Sequence, residues 1–384
     1  MLRVIHIIPS LNKGGAERLT IDICNKLSER KDISVLLVLM YNEIKYELPS
    51  SIKTVITNSR VKLSIWNRNK YDLSDFNKII NDFRPHIIHS HLFEAEILSR
   101  CNLRPEIVYI SHVHDNITQL ENIVFHPPYK KKIINRYEKY WITKRYRIVN
   151  NQFISISKDT THFLKTSFRN NKLSDAIYEL SNAIDYEQFY FSGEKKISPN
   201  IKLISVGSLV EKKNQQLLLD IAFLLKEKGV DFDMQILGDG PKRTFLEKEI
   251  VKLGLTNQVQ LLGNVHDVPA YLRDATFFVH TALYEPFGLV LLEAMASGLP
   301  VISLDGKGNR DIIINGKNGY LLQENDPAIF VSKIIDLIND AEKYQSISRY
   351  ARIFAENYDI KKYIEKLVDY YKLLYFEQNK LRKV

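Results

Sequence analysis

The chain has 384 residues, 45% hydrophobic and 26% charged, with a formal net charge of +9. That length suggests two domains, because single cores stop growing at roughly 250–300 residues. Two cysteines, Cys24 and Cys101, exclude a disulfide scaffold, and no apolar run reaches the ~18 residues needed to span a bilayer. Met1–Ile8, broken by His6 and followed by Pro9, is too short for a signal peptide, so the expectation is a cytoplasmic protein. The excess charge is concentrated: between Tyr129 and Arg147 stand eight Lys or Arg against the single Glu138. Nothing else resembles a nucleic-acid module, and no nucleic-acid partner is expected.

In chain order, short apolar runs alternate with helical spacing. Strands are predicted at Leu2–Ile8, Ile33–Leu39, Ile87–His89, Ile107–Ile110 and Phe153–Ile156. Helices are predicted at Ala16–Leu27 and near Leu73–Phe83, Phe93–Ser99 and Tyr129–Tyr146. The polar stretch Leu180–Asn200 then marks a domain boundary. Beyond it the pattern repeats, with strands at Ile201–Val206, Phe232–Leu237, Val259–Leu262, Thr276–Val279 and Val301–Ser303. Helices follow near Asn214–Lys228, Pro241–Leu253 and Gly288–Ala296, and the tail from Asp326 reads as helical, ending in an amphipathic, aromatic segment over Ile360–Phe376. Such alternation implies parallel sheets covered by helices on both faces, with ligands outside the carboxyl ends of the strands. The domains expected are 1–182, 183–357 and a terminal segment 358–384.

The most informative stretch is Tyr284–Pro300, read as turn, helix and stop between two strands. Pro286 suits a helix start, and Gly298 with Pro300 suits its end. Glu285 falls in the turn and Glu293 inside the helix, while the unpaired amides of Gly288 and Leu289 favour a phosphate. Two carboxylates around an anion site suit a nucleotide-sugar, one holding sugar hydroxyls and the other the ribose.

Other glycine-rich turns follow strands: Gly14-Gly15 after the first, Gly207-Ser208 through Lys213 after the first of the second half, and Gly238-Asp239-Gly240-Pro241. Gly263-Asn264 and Asp305-Gly306-Lys307-Gly308-Asn309-Arg310 complete the set. No Gly-X-Gly-X-X-Gly dinucleotide fingerprint is present. Asp231-Phe232-Asp233 begins a strand, away from any ligand end, and reads as surface charge.

Glu285 and Glu293, with seven residues between them and Pro-Phe-Gly and Ala-Ser-Gly-Leu-Pro alongside, resemble the Glu-X7-Glu signature of glycosyltransferase family 4. Gly-Gly-Ala-Glu-Arg at 14–18 and Gly-Asp-Gly-Pro at 238–241 resemble other loops of that family. The resemblance implies an α/β protein of GT-B architecture. In it, two doubly wound Rossmann-like domains face a central cleft, and a C-terminal helix crosses back to the first domain. It implies a retaining, metal-independent transfer from a nucleotide diphosphate sugar, with UDP the expected nucleotide and no cofactor. Glu285 and His114 are then catalytic. The donor is held by Glu293, Lys213, Gly207, Ser208, Gly288, Leu289, Phe287, Gly263 and Gly238, while Gly14 and Gly15 border phosphate and acceptor. Where the family commonly has Arg, this chain has Ser208, and Arg310 or Lys307 is a candidate replacement cation.

Five histidines, His86, His89, His91, His112 and His114, crowd the first half. Their His-X-His pairs leave a metal-dependent hydrolase as an alternative. A non-catalytic nucleotide-sugar binding protein is another, and a sugar-nucleotide epimerase or phosphorylase a third. The mixture of basic and aromatic residues over 129–147 suits an anionic membrane surface, so peripheral attachment at the inner face of the cell membrane is expected, with a glycan or lipid-linked acceptor.

Overall fold

The structure, a computed structural model, describes residues 1–121, 129–169 and 171–381. Residues 122–128 and 170 of the expected first domain, and 382–384 of the terminal segment, lie outside the described residues. The chain divides into two units, Met1–Ala183 with Ile360–Val384, and Ile184–Asp359. The division falls inside the polar stretch Leu180–Asn200, where the chain forms only the short helix Tyr186–Phe189.

The first unit contains β1 (Leu2–Ile8), β2 (Ile33–Leu39), β3 (Thr54–Ile56), β4 (Arg60–Lys62), β5 (Lys70–Asp72), β6 (Ile87–His91), β7 (Val108–Val113), β8 (Gln152–Ser155) and β9 (Ile177–Glu179). Seven of these form one sheet in the order β3-β2-β1-β6-β7-β8-β9, and every pairing in it is parallel. The order reverses between β1 and β6, the point where doubly wound sheets open to ligands. β4 and β5 form a separate antiparallel hairpin. The buried runs Leu2–Ile8 and Ile33–Leu39 are apolar on both faces because helices cover both sides. Ile5, Ile7, Val38 and Ile88 pack with Phe76 and Ile80 of the helix Ser74–Phe83, while Phe153 packs with Trp141 and Ile142 of the helix Tyr129–Ile148. The terminal helix Ile360–Leu381 belongs to this unit and packs against the helix Gly15–Ser28.

The second unit repeats the plan with β10 (Ile201–Val206), β11 (Phe232–Leu237), β12 (Val259–Gly263), β13 (Phe277–His280), β14 (Val301–Leu304) and β15 (Gly319–Leu322). They form one parallel sheet in the order β12-β11-β10-β13-β14-β15, reversing between β10 and β13. Its core joins Leu203, Met234, Phe277 and Ile302 to Leu218 and Leu225 of the helix Gln215–Glu227, and to Phe330 and Ile334 of the helix Pro327–Ile338.

The long strands and helices lie where hydrophobic spacing puts them. The edge strands β3, β9 and β15 carry no such signal, because three or four residues are too few to show a period. β6 runs two residues past the expected end at His89, taking His91 into the sheet.

Two glycines at the carboxyl end of the second sheet show why loop composition matters. Gly238 has φ +126°, and a Cβ there would stand 2.1 Å from the Gly207 carbonyl oxygen; one at Gly240 would stand 2.5 Å from that of Leu209. The loops after β10 and β11 therefore lie in backbone contact, and Gly238 N–H donates to the Gly263 carbonyl at 2.7 Å. Gly238→Ala is expected to destabilise the protein by at least about 2 kcal/mol, from left-handed strain and the clash together. Gly229, with φ +68° but open space around it, is the comparator: Gly229→Ala should cost only about 1 kcal/mol. Chemical denaturation of both variants checks this, and equal effects would remove the close-approach argument.

Candidate functional site

In the second unit, three loops meet on Glu285. The loop after β10 is zipped to the loop after β13: Leu283 N–H donates to the Lys212 carbonyl at 2.9 Å, and Thr281 Oγ1 donates to the Lys213 carbonyl at 3.1 Å. The loop after β14 clasps the other side. Glu285 N–H donates to the Gly306 carbonyl at 2.8 Å, and Gly308 N–H donates to the Glu285 carbonyl at 3.0 Å. Gly308 has to be small, since a Cβ would lie 1.9 Å from the Pro286 oxygen. Buried Asn309 holds this clasp in shape, accepting from Gly306 N–H at 2.9 Å and donating to Ser303 Oγ at 2.9 Å and to the Leu304 carbonyl at 2.8 Å.

The Glu285 side chain, 10% exposed, has Lys213 Nζ at 2.5 Å and His280 Nε2 at 3.1 Å, both on Oε2. Burial alone would raise its pKa. The Lys213 charge and then the His280 contact outweigh burial and hold the carboxyl at about 2. His280 is itself kept below the ordinary imidazole value by burial, with Glu285 pulling the other way. Glu285 is therefore an ionised, almost dry carboxylate at the point where the sheet order reverses. Lys213, expected as a phosphate ligand, is its ion-pair partner.

Past Phe287, which is buried, Gly288 adopts φ +102° and opens the helix Leu289–Ala296. This left-handed turn lets the chain reverse directly into a helix whose first amides have no intrahelical acceptor. Leu291, Leu292 and Ala294–Ala296 are buried, and only Leu289, Val290 and Glu293 are half-covered. Glu293 thus shares the helix's one open side with the Leu289 end, about 6 Å along the axis. Gly207, Gly238 and Gly263 line the adjoining carboxyl ends of β10–β12, with Ser208 exposed between them. Of the two candidate replacement cations, Arg310 donates its Nε–H to both carboxylate oxygens of Asp305, at 2.8 and 2.7 Å. Lys307 is exposed, with its Nζ 6.0 Å from the Tyr284 ring centre.

In the first unit, side-chain alternation and register put five imidazoles on one face of the sheet. His6 pairs with His89, and His91 with His112; His89 and His91, like His112 and His114, are two residues apart. Both expected His-X-His pairs lie in this cluster and His6 joins them, whereas His86 precedes β6 at its opposite end, accepts from Arg3 N–H at 3.1 Å and lies tilted against Tyr375. His6 Nδ1 meets His91 Nε2 at 2.9 Å, and His91 Nδ1 meets His114 Nε2 at 2.9 Å. Tyr371 Oη closes the inner end on His89 Nδ1 at 2.5 Å and His6 Nε2 at 3.2 Å. Burial lowers the pKa of all five, to about 3 for His6 and His114, so each is neutral at pH 7.

Two triads, His6 with His89 and His91, and His91 with His112 and His114, have nitrogens within 4.8 Å of one another and offer a metal-binding set. Nitrogens sharing a tetrahedral zinc lie about 3.3 Å apart, given Zn–N near 2.0–2.1 Å. The 2.9 Å contacts are those of imidazoles hydrogen-bonded to each other, with one proton between each pair. At the helix start, Glu17 folds its own carboxylate back over Gly14, within 2.4 Å of where a Cβ would stand, and Gly14 N–H meets Tyr46 Oη at 3.0 Å. Gly15 begins the helix.

His280 and His6 were not singled out from sequence. His280 had a usable signal, as the last residue of a strand just before the acidic turn. His6 had none, because its neighbours come from strands 80 and more residues away.

The family profile described as Glycosyltransferase Family 4 matches residues 13–188, and that described as Glycosyl transferases group 1 matches residues 187–354. An uncharacterised glycosyltransferase of Methanocaldococcus jannaschii is 28% identical over 215 residues, covering 56% of this chain and 57% of its own length. The capsular polysaccharide biosynthesis glycosyltransferase CapM of Staphylococcus aureus is 27% identical over 214 residues, covering 53% and 56%. The chain thus spans about half the length of these curated relatives. Among solved structures, Anabaena HepE in complex with UDP and glucose superposes with a TM-score of 0.75 at 18% identity, covering 96% of this chain and 99% of that one. Sucrose-phosphate synthase of Thermosynechococcus elongatus gives 0.79 at 15% identity, covering 98% and 100%. At such identities the likeness carries the fold.

Proposed function

The chain belongs to glycosyltransferase family 4 and has the GT-B fold class, and from that premise we propose that it is a retaining, metal-independent hexosyltransferase. It moves a hexose or N-acetylhexosamine from a nucleotide diphosphate sugar to a glycan or lipid-linked acceptor in cell-surface polysaccharide biosynthesis. The observation that carries this reading is the buried, ionised Glu285 just ahead of a helix start that no side chain caps. Glu285 takes the sugar hydroxyls, Glu293 the ribose, and the Gly288 and Leu289 amides the diphosphate. Lys213 then serves two anions, sharing its charge between Glu285 and the leaving group. Lys307 is the better candidate for the cation absent at Ser208, since Arg310 is engaged by Asp305.

In the reaction, the bond from sugar C1 to the diphosphate oxygen breaks and the acceptor oxygen bonds to C1 from the same face. The acceptor's proton passes to the departing phosphate. Charge developing on that phosphate is the main demand, and amides and a lysine fixed before reaction meet it with little reorganisation. Neutral His114, with the acceptor loop Gly14-Gly15, belongs to the acceptor side of the reading. The UDP complex of the Anabaena relative and the capsular assignment of the S. aureus relative favour UDP as nucleotide and polysaccharide as product.

Thermal-shift screening against UDP- and GDP-sugars tests the donor. A donor at 100 times its dissociation constant stabilises by about 2.7 kcal/mol, and a domain of 150–250 residues then melts roughly 5–11 °C higher. Indifference to every activated sugar would end the reading. Binding without hydrolysis or transfer to any acceptor in a panel would favour the non-catalytic alternative.

A further inference from the structure

The reading of 129–147 as a membrane-facing surface gains a second element from the structure. The hairpin of β4 and β5 docks on the basic helix Tyr129–Ile148: Asn69 Nδ2 donates to Tyr137 Oη at 2.8 Å, and Trp141 Nε1 donates to Tyr71 Oη at 3.2 Å. Val61 and Leu63 pack into the core beneath. The connecting turn is closed on itself, with Ser64 N–H donating to Asn69 Oδ1 at 2.8 Å and Asn67 N–H to Ser64 Oγ at 3.0 Å. On this tied turn stand Ile65, 39% exposed, and Trp66, 64% exposed. A tryptophan and an isoleucine held outward on a stapled turn are poorly explained by folding, which would bury them.

Their surroundings are basic. The hairpin adds exposed Lys62, Arg68 and Lys70, and the helix presents exposed Lys130, Lys131, Arg136, Lys144 and Arg147, with Tyr140 66% and Ile148 62% exposed. Arg136, Tyr140, Lys144 and Arg147 follow helical spacing and form one stripe. We propose that this hairpin is a wedge that inserts Ile65 and Trp66 into the interface of an anionic lipid bilayer, while the basic helix beside it lies on the headgroups. Tryptophan prefers that depth, and each nearby Lys or Arg is drawn by the negative surface potential. A soluble polyanion would use the same charges but leave the apolar pair in water. The inference rests on the membrane reading of 129–147 and adds to it where, and by which residues, the bilayer is entered.

The test uses the full chain with phosphatidylcholine vesicles, with and without phosphatidylglycerol, at low salt. Trp66 and Trp141 are the two tryptophans, so Trp141→Phe leaves Trp66 as reporter. The expected result is a blue shift of Trp66 emission and its quenching by brominated lipid, only when phosphatidylglycerol is present. Sedimentation of Ile65→Ser/Trp66→Ser should show vesicle affinity lowered at least about tenfold, with its circular dichroism and melting unchanged. Undiminished vesicle binding by that variant would overturn the wedge and leave the helix reading standing. Absence of any vesicle binding by the wild type would overturn both. Binding to dextran sulfate equal to that to anionic vesicles, with no Trp66 shift, would assign the surface to soluble polyanions and also overturn the wedge.

Discussion

Glu285→Gln is expected to lower turnover by about 10²–10³-fold, the loss seen when one fixed electrostatic contact to a reacting centre is removed. Donor affinity should fall much less, because the helix start and Glu293 remain. Near wild-type turnover in a steady-state assay would refute the assignment. The same variant tests the ion pair. Lys213, with 17% of its side chain exposed, loses its carboxylate, and breaking a buried pair by removing one partner costs about 3–5 kcal/mol. The effect has a defined pH dependence. The folded-state pKa of about 2 lies below the ordinary 4.5, so the unfolded chain binds the extra proton between those values. The stabilisation, about 3 kcal/mol for that interval, is fully present above pH ~4.5 and is lost as pH falls toward about 2. Urea denaturation at pH 7 should therefore separate wild type from Glu285→Gln widely, and at pH 3 much less.

Glu293→Ala is the second. A hydrogen bond to a charged group contributes about 1.5–3 kcal/mol, so affinity for the nucleotide diphosphate should weaken by roughly 10–150-fold. Turnover at saturating donor should change little, since ribose contacts are made equally before and during transfer. Glu293 sits on the one half-covered side of an otherwise buried helix, so its removal leaves no large cavity, and the fold should survive. Calorimetric titration with UDP and with GDP reads the affinity. An unchanged value would take the ribose role from Glu293 whatever the outcome at Glu285.

The two carboxylates differ in how far sequence could carry them. Both were named from their spacing and from the proline and glycines around them, because those residues dictate a strand, a turn and a helix locally. The ionised state of Glu285 was not accessible that way. It depends on Lys213, 72 positions earlier, and on His280 at a strand end, brought together by the reversal of strand order between β10 and β13. The glycine-rich run after β14 was seen as a ligand loop. The structure makes it also a backbone clasp on Glu285, and so gives Gly306 and Gly308 a packing role. Likewise the His-X-His pairs announced imidazoles on one face, but not that His6 joins them and His86 does not.

By itself, the sequence determined what is short-range: the alternation of strands and helices, the position of the polar boundary, the two-carboxylate motif and the basic helix. Period and turn chemistry act over a few residues, so they are written in consecutive letters. Which charges meet, which imidazoles share protons and which hairpin is stapled beside the basic helix were decided only by tertiary structure. These depend on the parallel register of strands far apart in the chain. Register is set by packing of whole sheets, where a single step would turn every side chain to the opposite face.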